Sequence, residues 1–311
     1  MNGADTYDVV IIGGGAAGLS AALLLGRSRR RVAVVDAGKP RNLRAEHIHG
    51  YLTRDGIPPA KFLELAREEV RSYGVELIDA TAEEVYPDRR VCLDGGRILA
   101  ARQIILASGL RDVLPDLEGA HAQWGRGLFQ CPYCHGWEYQ GRALAVLGTG
   151  ASSVQQAQLV RQFSSDVTLF IHEMADPDPQ TAADLASCGV KVVRGRVRAL
   201  VAGPESLTGV RLENGELAAC EALFYEPGAT VDTSIVKTPN CRMSENGCVS
   251  TDGIGRTSVE GVWATGNAAD PAAQVIVAAG DSYRVAVAVN AKLIEDDLAK
   301  ARNTTAVSPT K

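Results

Sequence analysis

The apolar run YDVVII (7–12) passes directly into GGGAAG (13–18). LSAALLLGRSR (19–29) follows, with apolar residues at helical spacing and a basic end. A second apolar run, RVAVVDAG (31–38), comes next. Strand, glycine turn, helix and strand make a βαβ unit, which commits the chain to a parallel sheet flanked by helices. Gly13, Gly15 and Gly18 have the G-x-G-x-x-G spacing, and Asp36 stands 18 residues after Gly18. The residue types suit the task. Gly13 permits the tight turn, Gly15 lets a pyrophosphate approach the backbone at the helix N-terminus, and Gly18 lets helix and strand pack closely. Asp36 accepts hydrogen bonds from a ribose. A glycine-rich turn without a ligand is the alternative, and the strand, helix and acid in their proper places oppose it.

The pattern recurs. RALAVLG (142–148) reads as a strand, GTGASS (148–153) as a turn, VQQAQLVRQF (154–163) as a helix and DVTLFIHE (166–173) as a strand. Gly148 and Gly150 hold the first two glycine positions, and Ser153 stands where the third small residue belongs. This is a second dinucleotide fold, in competition with one that has lost its ligand. RQIILASGL (102–110) is a strand entering a small-residue turn, and three further strands are expected between 190 and 227. GVWATGN (261–267) is a strand and turn before a long Ala/Val-rich helix. The polar tail NTTAVSPTK (303–311) is expected to be disordered.

With 311 residues there is material for two domains. The net charge of -5 gives no basic surface for nucleic acid. No apolar run approaches the roughly 18 residues of a membrane helix, and no leader is read at the N-terminus, so the expected location is the cytoplasm. Seven irregularly spaced cysteines are expected to be mostly free there, and a CxxC is more often redox or metal-binding than structural. That CxxC lies in QCPYCHGWEY (130–139). By spelling it is a redox disulfide, a haem attachment site, half of a zinc site or a pair of buried thiols.

Two glycine-rich folds, the second inserted mid-chain, a CxxC just before that second fold, and TGN near the end together resemble low-molecular-weight thioredoxin reductases. These are flavoproteins of the pyridine nucleotide-disulfide oxidoreductase group. The resemblance runs from Tyr7 to about Leu293. It implies an α/β chain with two Rossmann-like dinucleotide-binding domains, the second inserted in the first. Residues 1–116 and 242–311 would form an FAD-binding domain, and 117–241 an NAD(P)-binding-like domain carrying the CxxC. It also implies a homodimer. Gly13, Gly15, Gly18 and Asp36 would hold the ADP half of FAD. Gly109 ends the ASG crossover, and Gly266, Asn267, Gln274 and Val275 fall where the family holds the ribityl chain and flavin ring. Asn42 and His49 lie in the loop that runs along the isoalloxazine. Gly148, Gly150, Ser153 and His172 would face NAD(P)H.

In this family the CxxC is the redox disulfide beside the flavin. The C-x-x-C-H spelling of haem attachment belongs to exported proteins, and zinc needs four ligands where no second CxxC exists. Cys92, Cys188, Cys220, Cys241 and Cys248 are read as structural or incidental.

Three departures refine the resemblance. His135 follows the second cysteine where most such reductases carry Asp. CPYCHG resembles a side branch that includes the dithiol oxidases of gliotoxin and holomycin biosynthesis. A group that deprotonates a thiol at neutral pH works best near that pH, and unperturbed His, near 6.5, lies closer than Asp, near 3.9. Next, LFIHEMADPDPQ (169–180) has Glu173, Asp176 and Asp178 where arginines would hold an NADPH 2′-phosphate, with only His172 to help. NADPH use is therefore in doubt, and NADH, or no nicotinamide, becomes an alternative. Last, Asn267 replaces the usual Asp, in keeping with the histidine branch.

The expected function is a flavin-dependent thiol–disulfide oxidoreductase that oxidises a small-molecule dithiol, with Cys131, Cys134 and His135 catalytic and O₂ as acceptor. Cys131 would form the mixed disulfide and Cys134 would face the flavin. The alternatives are an NAD(P)H-dependent thioredoxin reductase, whose partner is a thioredoxin-like protein, and a non-enzymatic redox sensor.

Overall fold

The computed structural model describes residues 5–203, 206–231, 235 and 239–306. In chain order it begins with β1 (Asp5–Ile12), α1 (Ala16–Arg27), β2 (Val32–Asp36), α2 (Pro59–Ser72), β3 (Glu76–Asp79), β4 (Ala82–Val85), β5 (Arg90–Leu93) and β6 (Ile98–Leu106). Then come β7 (Arg111–Val113), α3 (Ala120–Gln123), β8 (Leu128–Phe129), α4 (Pro132–His135), β9 (Leu144–Leu147), α5 (Ser152–Val160), β10 (Val167–Phe170), α6 (Pro179–Ser187) and β11 (Val190–Val193). The chain ends with β12 (Val197–Ala202), β13 (Leu207–Leu212), β14 (Leu217–Ala219), β15 (Ala222–Phe224), β16 (Gly228–Thr230), β17 (Val262–Ala264) and α7 (Val275–Ala306). Two compact units result. The first takes residues 1–43, 58–111 and 229–311, the second 44–57 and 112–228.

In the first unit the sheet order is β3-β2-β1-β6-β5-β4, with β17 also on β6. β1, β2, β3, β6 and β17 run parallel, and β4 and β5 complete the edge antiparallel. Alternation along β1 feeds two cores. Val9 and Ile11 pack with α1 and α7, and Val10 and Ile12 pack on the opposite face with Val85, Val91 and Leu93. This is why YDVVII reads as a continuous apolar run: both of its faces are covered. Polar ties fix α7. Arg102 donates to Asp8 at 2.9 Å and Asp297 at 2.6 Å, while Arg30 reaches Asn290 at 2.8 Å and Asp297 at 2.9 Å.

In the second unit the parallel sheet β11-β10-β9-β15-β8 is accompanied by an antiparallel β12-β13-β14 meander. Val146, Leu169 and Phe224 pack with Val160 of α5 and Leu185 of α6, and Leu147 and Leu223 pack with Leu200, Val210 and Leu212 of the meander.

One expectation changes. Residues 303–306 continue α7 as helix, where the polar tail was expected to be disordered. The rest of that tail, 307–311, and the start of the N-terminal stretch read as free of a leader, 1–4, lie outside the described residues. Among the described residues no helix is long and apolar enough to cross a membrane.

Candidate active site

The redox segment grows out of β8. Cys131 caps α4, Pro132 takes the first helical position, and the single turn brings Cys134 back over Cys131. The two sulfurs are bonded, with the Cα atoms 5.3 Å apart. Of the four readings of CxxC, this is the disulfide. Cys131 is 9% exposed and Cys134 is half-buried. Gly136 is required by packing, since a Cβ there would meet the Phe163 ring at 2.6 Å.

His135 ends the turn. Its ring stacks on Phe129 at 4.2 Å between centroids with 20° between planes. It hydrogen-bonds the Cys131 backbone, while Nδ1 is buried and has no hydrogen-bond partner. Burial holds the imidazole well below the usual histidine range, at about 4, against the opposing pull of Glu138. This differs from the value near 6.5 expected from sequence, because the apolar neighbours penalise the cation. At neutral pH the ring is a neutral proton acceptor.

His49 lies in the 44–57 segment, which belongs to the second unit. Its Nδ1 is 3.3 Å from Asp55 Oδ2 and its Nε2 3.4 Å from Glu138 Oε1. Asn42 sits half-buried in the turn after β2, in the first unit.

The first glycine loop fits a dinucleotide. Gly13 has φ +108° and a Cβ would strike Ala107 O at 2.2 Å. A Cβ on Gly18 would lie 1.9 Å from Gly13 O, so helix and turn pack too closely for any other residue. Gly15 begins α1 without a side-chain cap, and a Cβ there would meet nothing within 4 Å. That opening suits a pyrophosphate. Asp36 ends β2 and accepts from Arg67 Nη2 at 2.6 Å and Gly38 N–H at 3.1 Å. Gly109 has φ +71° and open surroundings. Gly266 has φ +58° and lies against Ala17 of α1. The Asn267 amide donates to the carbonyls of Asp270 at 2.9 Å, Pro271 at 3.3 Å and Ala273 at 3.0 Å, and its oxygen accepts from Arg41 at 3.4 Å. A carboxylate could not make those donations, which gives Asn its purpose here. Gln274 and Val275 open α7, the Gln274 carbonyl accepting from Ala278 N–H at 2.8 Å. These residues fit FAD.

The second loop is built differently. Gly148 is enclosed by the carbonyls of Phe170 and Ile171, and Gly150 is open. The buried Ser153 hydroxyl accepts from Thr149 N–H at 3.1 Å and Gly150 N–H at 3.4 Å, so these donors are turned inward. His172, with φ +49°, is buried and accepts from Val197 N–H at 3.1 Å, and burial lowers its pKa. Its Nδ1 is thereby engaged by the backbone at the start of β12. The acidic stretch is not bare, however. Arg194 donates to Asp176 at 2.9 Å and Arg196 to Glu173 at 2.5 Å, both arriving from the turn between β11 and β12.

The remaining thiols are unpaired. Burial pushes Cys220 up to about 12 and raises Cys241 and Cys248 as well, which makes them poor nucleophiles. Among the described residues no three His, Cys, Asp or Glu side chains group as metal ligands.

The model of the pyridine nucleotide-disulphide oxidoreductase family matches residues 7–291. The chain belongs to this family. This disulphide oxidoreductase is 30% identical to thioredoxin reductase sirT of Leptosphaeria maculans, over 94% of this chain and 96% of that one. Among solved structures it is similar to HlmI, with a TM-score of 0.92 and 40% identity over 98% of each chain. It is also similar to an oxidoreductase from Agrobacterium tumefaciens, with a TM-score of 0.87 and 32% identity over 93% of this chain and 99% of that one. Thus this oxidoreductase is a flavin-dependent enzyme of the thioredoxin reductase type, in a family that uses FAD and typically NAD(P)H.

The motifs pointed to the glycine loops, Asp36 and the CxxC with His135. They did not reveal Arg67, Phe129, Asp55 or Glu138. Arg194 and Arg196 were hidden because they lie some twenty residues beyond the acids they meet. Glu138 alone had a local signal, three residues after His135.

Proposed function

We propose that this enzyme oxidises a small-molecule dithiol to a disulfide through Cys131–Cys134, with O₂ as the final acceptor. The observation that carries the reading is the Cys131–Cys134 disulfide with His135 directly after it, its ring neutral at pH 7 and its Nδ1 without a hydrogen-bond partner. A substrate thiol gives its proton to Nδ1, and the thiolate attacks Cys131, releasing Cys134 as thiolate. The second substrate thiol then attacks its own sulfur in the mixed disulfide, which frees the product and leaves the cysteine pair reduced. Bound FAD supplies the two-electron redox chemistry that restores the disulfide at the expense of O₂. Gly13, Gly15, Gly18, Asp36, Asn42, Gly109, Gly266, Asn267, Gln274 and Val275 are proposed to hold it.

A small partner is favoured by the rim. Tyr133 is 74% exposed and Trp137 is 69% exposed, on either side of Cys134, and both offer flat apolar area to a compact ligand. The histidine-branch resemblance supports the same direction. The homodimer belongs to this proposal. Tyr283, Val287, Ile294 and Leu298 are exposed on α7 at spacings of four, seven and four, which form one stripe. The cytoplasm suits five unpaired cysteines.

The test is anaerobic. A small dithiol such as dithiothreitol is expected to bleach the flavin of the purified enzyme, and air to restore it with peroxide formed. Bleaching by NADPH alone, with a thioredoxin as the only disulfide reduced, would establish the reductase instead. Cys131→Ser is expected to leave the Cys134 thiolate giving long-wavelength absorbance with bound FAD. The same absorbance in Cys134→Ser would reverse the two roles.

A further inference from the structure

His135 gains a cation when it accepts a proton, and its site is apolar on the Phe129 side. Two charged groups act on it. Glu138, on its own segment, favours the cation, and His49, from the 44–57 loop, opposes it. Glu138 is not left to swing freely. Its Oε1 lies 3.4 Å from His49 Nε2, and the other ring nitrogen of His49 lies 3.3 Å from Asp55 Oδ2. Asp55 is itself fixed, accepting from Gly50 N–H at 2.8 Å. The loop that carries this pair is closed by Ile48 N–H to Ile57 O and Gly56 N–H to Ile48 O, both at 2.8 Å. Its turns use Gly50 and Gly56 at φ +75° and +77°.

Exposure rises outward along the chain of contacts. The side chains of His49, Glu138 and Asp55 are 24%, 38% and 66% exposed.

We propose that Asp55, His49 and Glu138 form a positioning relay for His135, holding a carboxylate where it supports the protonated imidazole during thiol deprotonation. None of the three touches the reacting sulfurs in this role. The inference rests on the His135 step of the proposed function. In it the substrate S–H bond breaks, Nδ1 gains the proton, and the thiolate keeps the electron pair.

The holoenzyme with its disulfide intact is mixed anaerobically with dithiothreitol at pH 7, and the opening of Cys131–Cys134 is followed by mass labelling of the released thiols beside bleaching of the flavin. Glu138→Gln and His49→Ala are each expected to slow opening about ten-fold, a part of the roughly 10²–10⁴-fold that proton-transfer assistance supplies. His49→Gln keeps a donor at the Nε2 position and is expected to stay within about three-fold of the wild-type rate. The double variant His135→Ala/Glu138→Gln is expected to be no slower than His135→Ala alone, because Glu138 acts through His135. Circular dichroism checks that each variant is folded. A slowed His135→Ala beside an unaffected Glu138→Gln would overturn the relay alone. So would His49→Gln as slow as His49→Ala, or multiplying losses in the double variant. An unaffected His135→Ala would overturn the proton-acceptor reading beneath it, and the relay with it.

Discussion

His135 shows how far a residue type can be trusted before its surroundings are known. CPYCHG marks it as the proton-handling group, but the working range follows from Phe129 and from burial, which no local pattern records. The folded ring sits near 4, against roughly 6.5 for an unfolded histidine. The unfolded chain therefore takes up a proton between these values that the native ring refuses. Stability is complete above about 6.5 and is lost as pH falls toward 4, by about 3 kcal/mol from this one residue. Denaturant titrations at pH 7.5 and 5 are expected to show about 2 kcal/mol of that loss in the wild type and less of it in His135→Phe. In catalysis, no acid limb is expected near 6.5, and dithiol oxidation should stay level down to about pH 5. His135→Ala should cost about 10²–10⁴-fold at neutral pH, with the deficit shrinking toward a thiol pKa near 8.5. A deficit equal at every pH would show a packing histidine.

At the scale of elements, two loops with nearly the same letters have different insides. The first leaves the start of α1 open at Gly15, while in the second Ser153 takes up the N–H groups of Thr149 and Gly150. The glycine spacing was legible in both. The inward turn of one hydroxyl was not, because it depends on a side chain's direction within a buried site. The nicotinamide specificity has the same character. The acidic stretch was read as free of bases, yet Arg194 and Arg196 reach Asp176 and Glu173 from the next turn but one. Exposed pairs of this kind are worth about 0–1 kcal/mol and would yield to a phosphate, but Glu173 and Asp176 would still repel it. NADPH should then reduce the flavin no better than NADH. Glu173→Gln with Asp176→Asn releases both arginines and is expected to raise the NADPH-over-NADH ratio several-fold in stopped-flow reduction. An unchanged ratio would mean that these arginines lie off the nucleotide path.

Over the whole molecule, the α/β class and the two nucleotide folds were readable because each βαβ unit is local. Membership of the 44–57 segment was not, since PRNLRAEHIHGYL reads as one continuous loop and its two ends join different units. His49 of this segment meets Asp55 and Glu138.

The order of segments also has a consequence for synthesis. The second unit is complete once residue 228 has been made, whereas the first still lacks β17, which pairs with β6, and α7, which covers α1. The emerging polypeptide therefore holds an open sheet until its last helix leaves the ribosome, and the CxxC unit is ready first. A chain stopped after Gly228 is expected to yield a protease-resistant fragment containing residues 112–228, with residues 1–43 digested and no flavin retained. Equal digestion of both regions would show that the later unit is the template on which the earlier one folds.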